Sequence, residues 1–318
     1  MKPIPAAYTA GPFARSAALA DGLTPKMLRG KRFVRLHPRV HVLRDRELTW
    51  QDRVLAAELA LPDRVHLTCI SRIQAAGLDF GPRLPVRFVI QGDHHLAIDG
   101  IFLHRTKLLP PLDDVGVTLE AAFIFYCARA RVLDAIKVGD WLLHRGHIDL
   151  GRLEALAVGQ LWRPGSNEAL WVLDHLEPHS MSIKESESRC VLGFAGLPPP
   201  ECNQPLELGG VTIRPDLLYR RWRVAVEYEG GHHQEDRDQY VSDLDRYDLY
   251  RAAGHRYVQV TNERLASPKK LVRRVHRELL DGGYDGPEPL FGEWWRSLFA
   301  RLSQVVGPTD LPINSGRR

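Results

Sequence analysis

From residue 182 onward the apolar and polar positions change period several times. SIKESESRCVLGFAG (182–196) carries helical spacing and stops at LPPPE; GVTIRPDLLY and RWRVAVEYE then alternate as two strands around a turn near Arg220 and Arg221. EDRDQYVSDLDRYDLYRAAG (235–254) returns to helical spacing, with Tyr240, Leu244, Tyr247 and Arg251 along one stripe and Gly254 as its stop. HRYVQVT is a strand pattern, and PKKLVRRVHRELLDGG (268–283) is an amphipathic helix opened by proline and closed by glycine. Residues 180–283 are thus expected to fold in the order α, β hairpin, α, β, α.

Upstream, PFARSAALADG reads as a helix ended by Gly22, and Thr24-Pro25 supplies an N-cap followed by proline, starting a second helix at PKMLRG. KRFVRLHPRVHVL alternates apolar and basic residues as a two-stranded wing does. The economical expectation for residues 1–48 is a winged helix-turn-helix with Lys26, Arg29, Lys31 and Arg32 on or beside the second helix, the one such motifs insert into a major groove. A small packing subdomain with solvated charges is the alternative. Residues 49–178 mix helices (TWQDRVLAAELAL, LTCISRIQAAG, HIDLGRLEALAVGQL and a broken VTLEAAFIFYCARARVLDAIKVGDWLLHRG) with strands (RLPVRFVI, LAIDGIFLHR). PLFGEWWRSLFARLSQVV predicts one amphipathic helix within 284–306, burying its WW pair against its own domain or, as the alternative, offering a docking surface, and 307–318 reads as a disordered tail. The expected fold class is a multidomain α+β or α/β chain.

Composition narrows the partners more than the fold. The net charge of +4 is only mildly basic, yet the first fifty residues hold ten Lys/Arg against Asp21, Asp45 and Glu47. A basic N-terminal region suits phosphate backbones, although a general preference for arginine, 35 against 8 lysines, explains part of the excess. Cys69, Cys127, Cys190 and Cys202 lack CxxC spacing, so no disulfide framework or thiolate zinc site is expected. The longest strongly apolar run, AAFIFYC, is far below the ~20 residues of a membrane span, which leads us to expect a cytoplasmic chain without a membrane partner.

The chemistry concentrates after Pro215. Alternation puts Ala225, Glu227 and Glu229 on one strand face and Trp222, Val224, Val226 and Tyr228 on the other, the expected core. With a turn at Arg220 and Arg221, Asp216 is expected opposite Ala225 and diagonal to Glu227, within reach of both glutamates. Three carboxylates on one patch either pair with arginines as an exposed sheet face or call for a cation, for which all-oxygen ligands favour Mg²⁺ or Mn²⁺. His233, after the glycine turn, is a candidate general acid or base. Arg246, three residues after Asp243, is a candidate contact to the site or to DNA, while Asp93, His94 and His95 read as a solvated turn.

RPDLLY, VAVEYEGGHH and YVSDLDRYDLYRAAGHRYVQVT resemble the very-short-patch-repair-like endonuclease domain, a branch of the PD-(D/E)XK nuclease superfamily. The resemblance covers about 182–265 and implies an αβββαβ restriction-endonuclease-like core with Mg²⁺-dependent phosphodiester cleavage. It implies catalytic roles for Asp216, Glu227, Glu229 and His233, with Glu187 as the first-helix acid. Glu229 occupies the superfamily's lysine position, where the related branch carries aspartate. The first ~160 residues also resemble the N-terminal region of type IV toxin-antitoxin (AbiEi-like) antitoxins, on SAALADGLTPKMLRGKRFVRLHPRVHVL and DWLLHRGHIDLGRLEALA. That resemblance implies DNA binding, autoregulation and a cognate toxin or regulatory protein as partner. Two functions follow as expectations: a DNA-binding endonuclease acting in repair, phage defence or a toxin-antitoxin setting, or a catalytically inactive antitoxin or transcriptional regulator using the same fold for binding only.

Overall fold

The computed structural model describes residues 4–229 and 246–307. The chain is a mixed α+β protein with several small sheets, divided into two compact units, Met1–Phe125 and Tyr126–Arg318. Among the described residues no helix is long and apolar enough to cross a membrane. All four cysteines are buried.

In the first unit β1 (Phe13–Ala14), β2 (Phe33–His37) and β3 (Val40–Leu43) form an antiparallel sheet in the order β1-β3-β2, flanked by α1 (Arg15–Ala20) and α2 (Pro25–Leu28). Thr24 caps α2 through its side chain, which accepts from the Met27 N–H at 3.2 Å, and Pro25 takes the first helical position, as the local sequence predicts. Tyr8, Phe13, Ala18, Leu23, Leu28 and Phe33 bury a common core. α3 (Trp50–Ala60) packs on this sheet and also on β5 (Val86–Gln91), which pairs with β4 (His66–Leu67) and β6 (Ile101–Thr106). That double contact joins 1–48 to the stretch that follows, so the division falls at 125/126, inside the expected 49–178 domain. LTCISRIQAAG is shorter as a helix than its pattern suggests: β4 takes its start, and α4 (Cys69–Ala75) begins only at Cys69.

α5 (Leu119–Cys127), which ends the first unit and runs across the division, and α6 (Val132–His144) of the second unit realise the broken helical stretch. α7 (Leu150–Gly159) and α8 (Ser166–Leu173) pack together, and α6 packs against α9 (Ile183–Phe194), the first helix of the 180–283 region. A four-stranded sheet runs β12-β11-β10-β7, from β7 (Glu201–Cys202), β10 (Leu217–Tyr219), β11 (Val224–Tyr228) and β12 (Arg256–Val260), with the last pair parallel. GVTIRPDLLY is not one strand: β9 (Val211–Ile213) leaves to form a hairpin with β8 (Leu206–Leu208), and Arg214-Pro215-Asp216 separates it from β10. Pro215 has no N–H to give a ladder, which suits that break.

Both faces of this sheet are covered. α9 and α12 (Pro268–Asp281) pack on β11, while a helix over 246–252, α10, brings Tyr250 onto Leu218 and Ala225 of the opposite face. The face that alternation marks as acidic is therefore largely interior. Gly254 ends α10 with φ +70°, a left-handed turn that glycine adopts without strain. Gly282 ends α12 against the Trp222 carbonyl so closely that any Cβ there would clash with it. The terminal segment is two short helices, α13 (Glu293–Ser297) and α14 (Leu302–Val305), instead of one. Trp295 is buried and the exposed Trp294 stacks on Phe194 of the same unit at 4.7 Å.

Candidate functional site

The acids meet where β10 and β11 leave the sheet. Leu217 faces Val226, Leu218 faces Ala225 and Tyr219 faces Val224, a pairing shifted by two residues from the expected one. The cause is the turn: Arg220–Trp222 form a 3-10 turn and Arg223 takes a left-handed conformation, so the hairpin is centred one residue later than the arginine pair suggests. A shift of two preserves the faces. Asp216 accordingly stays on the side of Glu227, and its Oδ2 accepts the Tyr228 N–H at 2.7 Å.

Asp216 is held up to about 7, chiefly by burial and then by the charge of Glu185, with the Glu227 charge adding and the Tyr228 N–H opposing. Glu185 on α9 is the helix acid that faces it. Glu185 Oε2 accepts from Asn203 Nδ2 at 2.7 Å and from the Met181 N–H at 2.9 Å, and Asn203 donates its own N–H to the carbonyls of Pro215 and Asp216, each at 3.1 Å. Glu187 points elsewhere: its Oε2 accepts from Lys137 Nζ at 2.7 Å and lies 3.4 Å from Lys184 Nζ. Two residues apart on a helix is a rotation of ~200°, so both glutamates cannot share a face. Ser182 caps α9 by accepting the Glu185 N–H at 3.1 Å, so Glu185 reads in sequence as an ordinary first-turn acid.

Glu227 is buried at 7% exposure and doubly engaged: Arg246 Nη2 lies 2.8 Å from its Oε1, and the Tyr250 hydroxyl donates to the same oxygen at 2.5 Å. Arg246 also donates from Nη2 to the Arg214 carbonyl at 2.8 Å, so this arginine, a candidate contact to the site or to DNA, stands at the site as the counter-charge of Glu227. Glu229 turns toward β12, accepting from the Tyr257 hydroxyl at 2.5 Å and from the Gln259 side-chain amide. Burial, then the acids beside them, keeps both tyrosine hydroxyls protonated well above their ordinary range. Tyr250, Tyr257, Gln259, Asn203 and Glu185 are the members sequence reasoning missed. Tyr257 and Gln259 lie on alternate positions opposite Ala225 and Glu227 in the parallel ladder, a relation visible only once β12 is paired. His233, Tyr240, Asp243 and Leu244 lie outside the described residues.

Among the described residues no three His, Cys, Asp or Glu side chains form a group that would hold a metal. Asp216 and Glu227 nonetheless offer hard oxygen donors, and Mg²⁺ is commonly held by one or two carboxylates with water and substrate phosphate completing its shell. A doubly charged ion beside Asp216 would also offset the burial and the neighbouring negative charge that raise its pKa. The donor chemistry fits; Glu229, expected as a third ligand, is committed to β12.

In the first unit Lys26, Arg29 and Lys31 are exposed on and after α2, with Arg32 beside them half-buried. Arg29 Nε donates to the Pro25 carbonyl at 3.3 Å, and Arg44 Nε donates to the Lys31 carbonyl at 2.6 Å, bracing the backbone from which these cations project. The β2–β3 hairpin adds Arg35 and Arg39, both exposed, with Arg39 at its left-handed tip. Asp93 pairs with Arg105 at 2.5 Å and with His95 at 3.2 Å in an exposed turn, an arrangement of surface charge. No family model, curated protein or solved structure matches the chain.

Proposed function

We propose that the chain binds duplex DNA and that its second unit is directed at the phosphodiester backbone, with Asp216 and Glu227 as the acids nearest the chemistry. The observation that carries this reading is the acid cluster itself: buried Glu185 and Glu227 stand beside half-buried Asp216, Arg246 is the cation paired with Glu227 among the described residues, and burial, then the charge of Glu185, holds Asp216 up to about 7. Perturbed acids of this kind concentrate at sites that act on ligands. The four-stranded sheet between α9, α12 and α10 is compatible with a restriction-endonuclease-like core, and the sheet of 13–43 with its two short helices is compatible with a winged helix-turn-helix presenting Lys26, Arg29 and Lys31. A bound Mg²⁺ or Mn²⁺ would supply a Lewis acid for a phosphate oxygen and lower the pKa of an attacking water. Asp216 and Glu227 would hold it, Glu185 with Asn203 would orient Asp216 from behind, and Arg246 would neutralise Glu227 until a cation replaces it. The test is nicking of supercoiled plasmid with Mg²⁺ or Mn²⁺. Native protein should cut and Asp216→Asn and Glu227→Ala should lose at least about 100-fold in rate; equal nicking by all three overturns the assignment.

A second reading has its own support. Glu227 is clamped by Arg246 and Tyr250, and Glu229 by Tyr257 and Gln259, an arrangement that suits a stable binding fold with no need of hydrolysis. On this reading the chain is an antitoxin-like or transcriptional regulator with a cognate toxin or regulatory protein as partner. Operator binding would then be unaffected by EDTA and weakened by Lys26→Ala with Arg29→Ala, while no nicking would accompany it. Loss of binding on chelation counts against it.

A further inference from the structure

α12 carries a feature that neither reading uses. Its apolar stripe, Leu271, Val272, Val275 and Leu279, is buried against the second unit. The opposite stripe is Lys270, Arg273, Arg274 and Arg277, at i, i+3, i+4 and i+7, all exposed. These four line a shallow groove with Glu278, whose carboxylate lies 3.9 Å from Arg256. Among the described residues no carboxylate pairs with any of the four cations. Arg273 and its neighbour Lys269 lie over the Phe291 ring at 5.4 and 5.5 Å, which anchors that end of the stripe without neutralising it. An uncompensated cationic row costs self-repulsion in the free protein, and a polyanion removes that cost.

We propose that this face of α12 is a second nucleic-acid contact, holding the phosphate backbone of duplex DNA. The stripe spans about 10 Å along the helix axis, enough to meet several phosphates of one strand. Arginine dominates it, and the planar guanidinium matches phosphate oxygens in pairs. An anionic membrane surface is the competing polyanion. Interfacial helices insert an apolar face into the bilayer, whereas the apolar face of α12 is interior and only Leu280 is exposed among its large apolar residues. The contact is sequence-independent, because backbone contacts position a duplex without reading it. The proposal rests on the chain's being a DNA-binding protein and is independent of hydrolysis.

The full chain is titrated against a fluorescein-labelled 20-bp duplex at several salt concentrations by anisotropy, in EDTA so that no strand is cut. The variant Lys270→Gln/Arg274→Gln/Arg277→Gln leaves Arg273 on its ring and changes only exposed side chains, with an unchanged melting temperature as the folding control. It should lower the slope of log K against log salt by about 2 to 3 and weaken binding about tenfold or more near 0.1 M salt. Lys26→Ala/Arg29→Ala tests the first-unit reading separately, and the combined variant should lose the sum of both effects. A triple variant whose affinity and salt slope stay within twofold and 0.5 of native, in either background, overturns the proposal. So does a triple variant that binds DNA normally but loses binding to vesicles rich in phosphatidylserine.

Discussion

Two sets of buried charge lie in the same unit and are treated differently. Between α6 and α9 each acid has its own cation: Asp140 Oδ2 is 2.8 Å from Arg189 Nη2 and its Oδ1 accepts the Glu177 N–H at 2.7 Å, while Glu187 meets Lys137. On the far side of α9 Glu185, Asp216 and Glu227 lie close together, and among the described residues Arg246 is the cation that pairs with one of them, Glu227. Burial pushes the Asp140 carboxyl up, but Arg189 and its hydrogen bonds pull against that shift. Burial raises Asp216 too, and there the neighbours that matter most are other acids. Charges neutralised pair by pair are ties between helices. A cluster left short of positive charge is poised for something that brings it.

The contrast breaks most visibly at Arg189. Arg189→Leu strands Asp140, which is fully buried, and should cost about 3 to 5 kcal/mol in chemical denaturation. A loss below about 1 kcal/mol would mean that the pair is no tie. Asp216→Asn should act in the opposite direction. Because the folded carboxyl is held up to about 7, the unfolded chain releases its proton first, so native stability falls as pH rises from about 4 to about 7 and stays low above it. Asparagine keeps an acceptor for the Tyr228 N–H and carries no charge. The variant should flatten that window and be about 2 kcal/mol more stable than native at pH 8, read from denaturation curves across pH. A parallel pH dependence in both proteins removes the cluster from the account.

Lys137→Met should fall between these, costing about 1 to 2 kcal/mol, since Glu187 is partly exposed and retains Lys184. A smaller effect separates the two functional readings. Ten millimolar Mg²⁺ at pH 7.5 should stabilise native protein by about 1.4 kcal/mol, for a dissociation constant near 1 mM, and leave Asp216→Asn unmoved. Isothermal calorimetry in buffers of different ionisation enthalpy should show proton release from the native protein near pH 6.5, as the ion displaces the Asp216 proton. Identical behaviour of both proteins favours the binding-only regulator.

Local features were legible from the sequence. Thr24-Pro25 opens α2 and Gly254 ends α10 because capping and left-handed turns depend on a few adjacent residues. The shared face of Asp216 and Glu227 survived a register two residues from the expected one, because a strand's period is two. The choice between Glu185 and Glu187 was not legible: a helix pattern gives two faces without saying which meets the sheet. The resemblance selected Glu187, and the buried Lys137, fifty residues earlier, draws that side chain to α6.

What the chain determined by itself are the element types, the caps and the alternation that puts two acids on one side of β11, all set by covalent neighbours and steric periodicity. Tertiary structure alone decided that this side is covered by Tyr250, that Arg246 becomes the acids' counter-ion, and that Glu229 leaves for β12. Those outcomes depend on desolvation and on partners brought from distant parts of the chain, and a carboxylate's neighbours in space, more than its neighbours in sequence, set its charge.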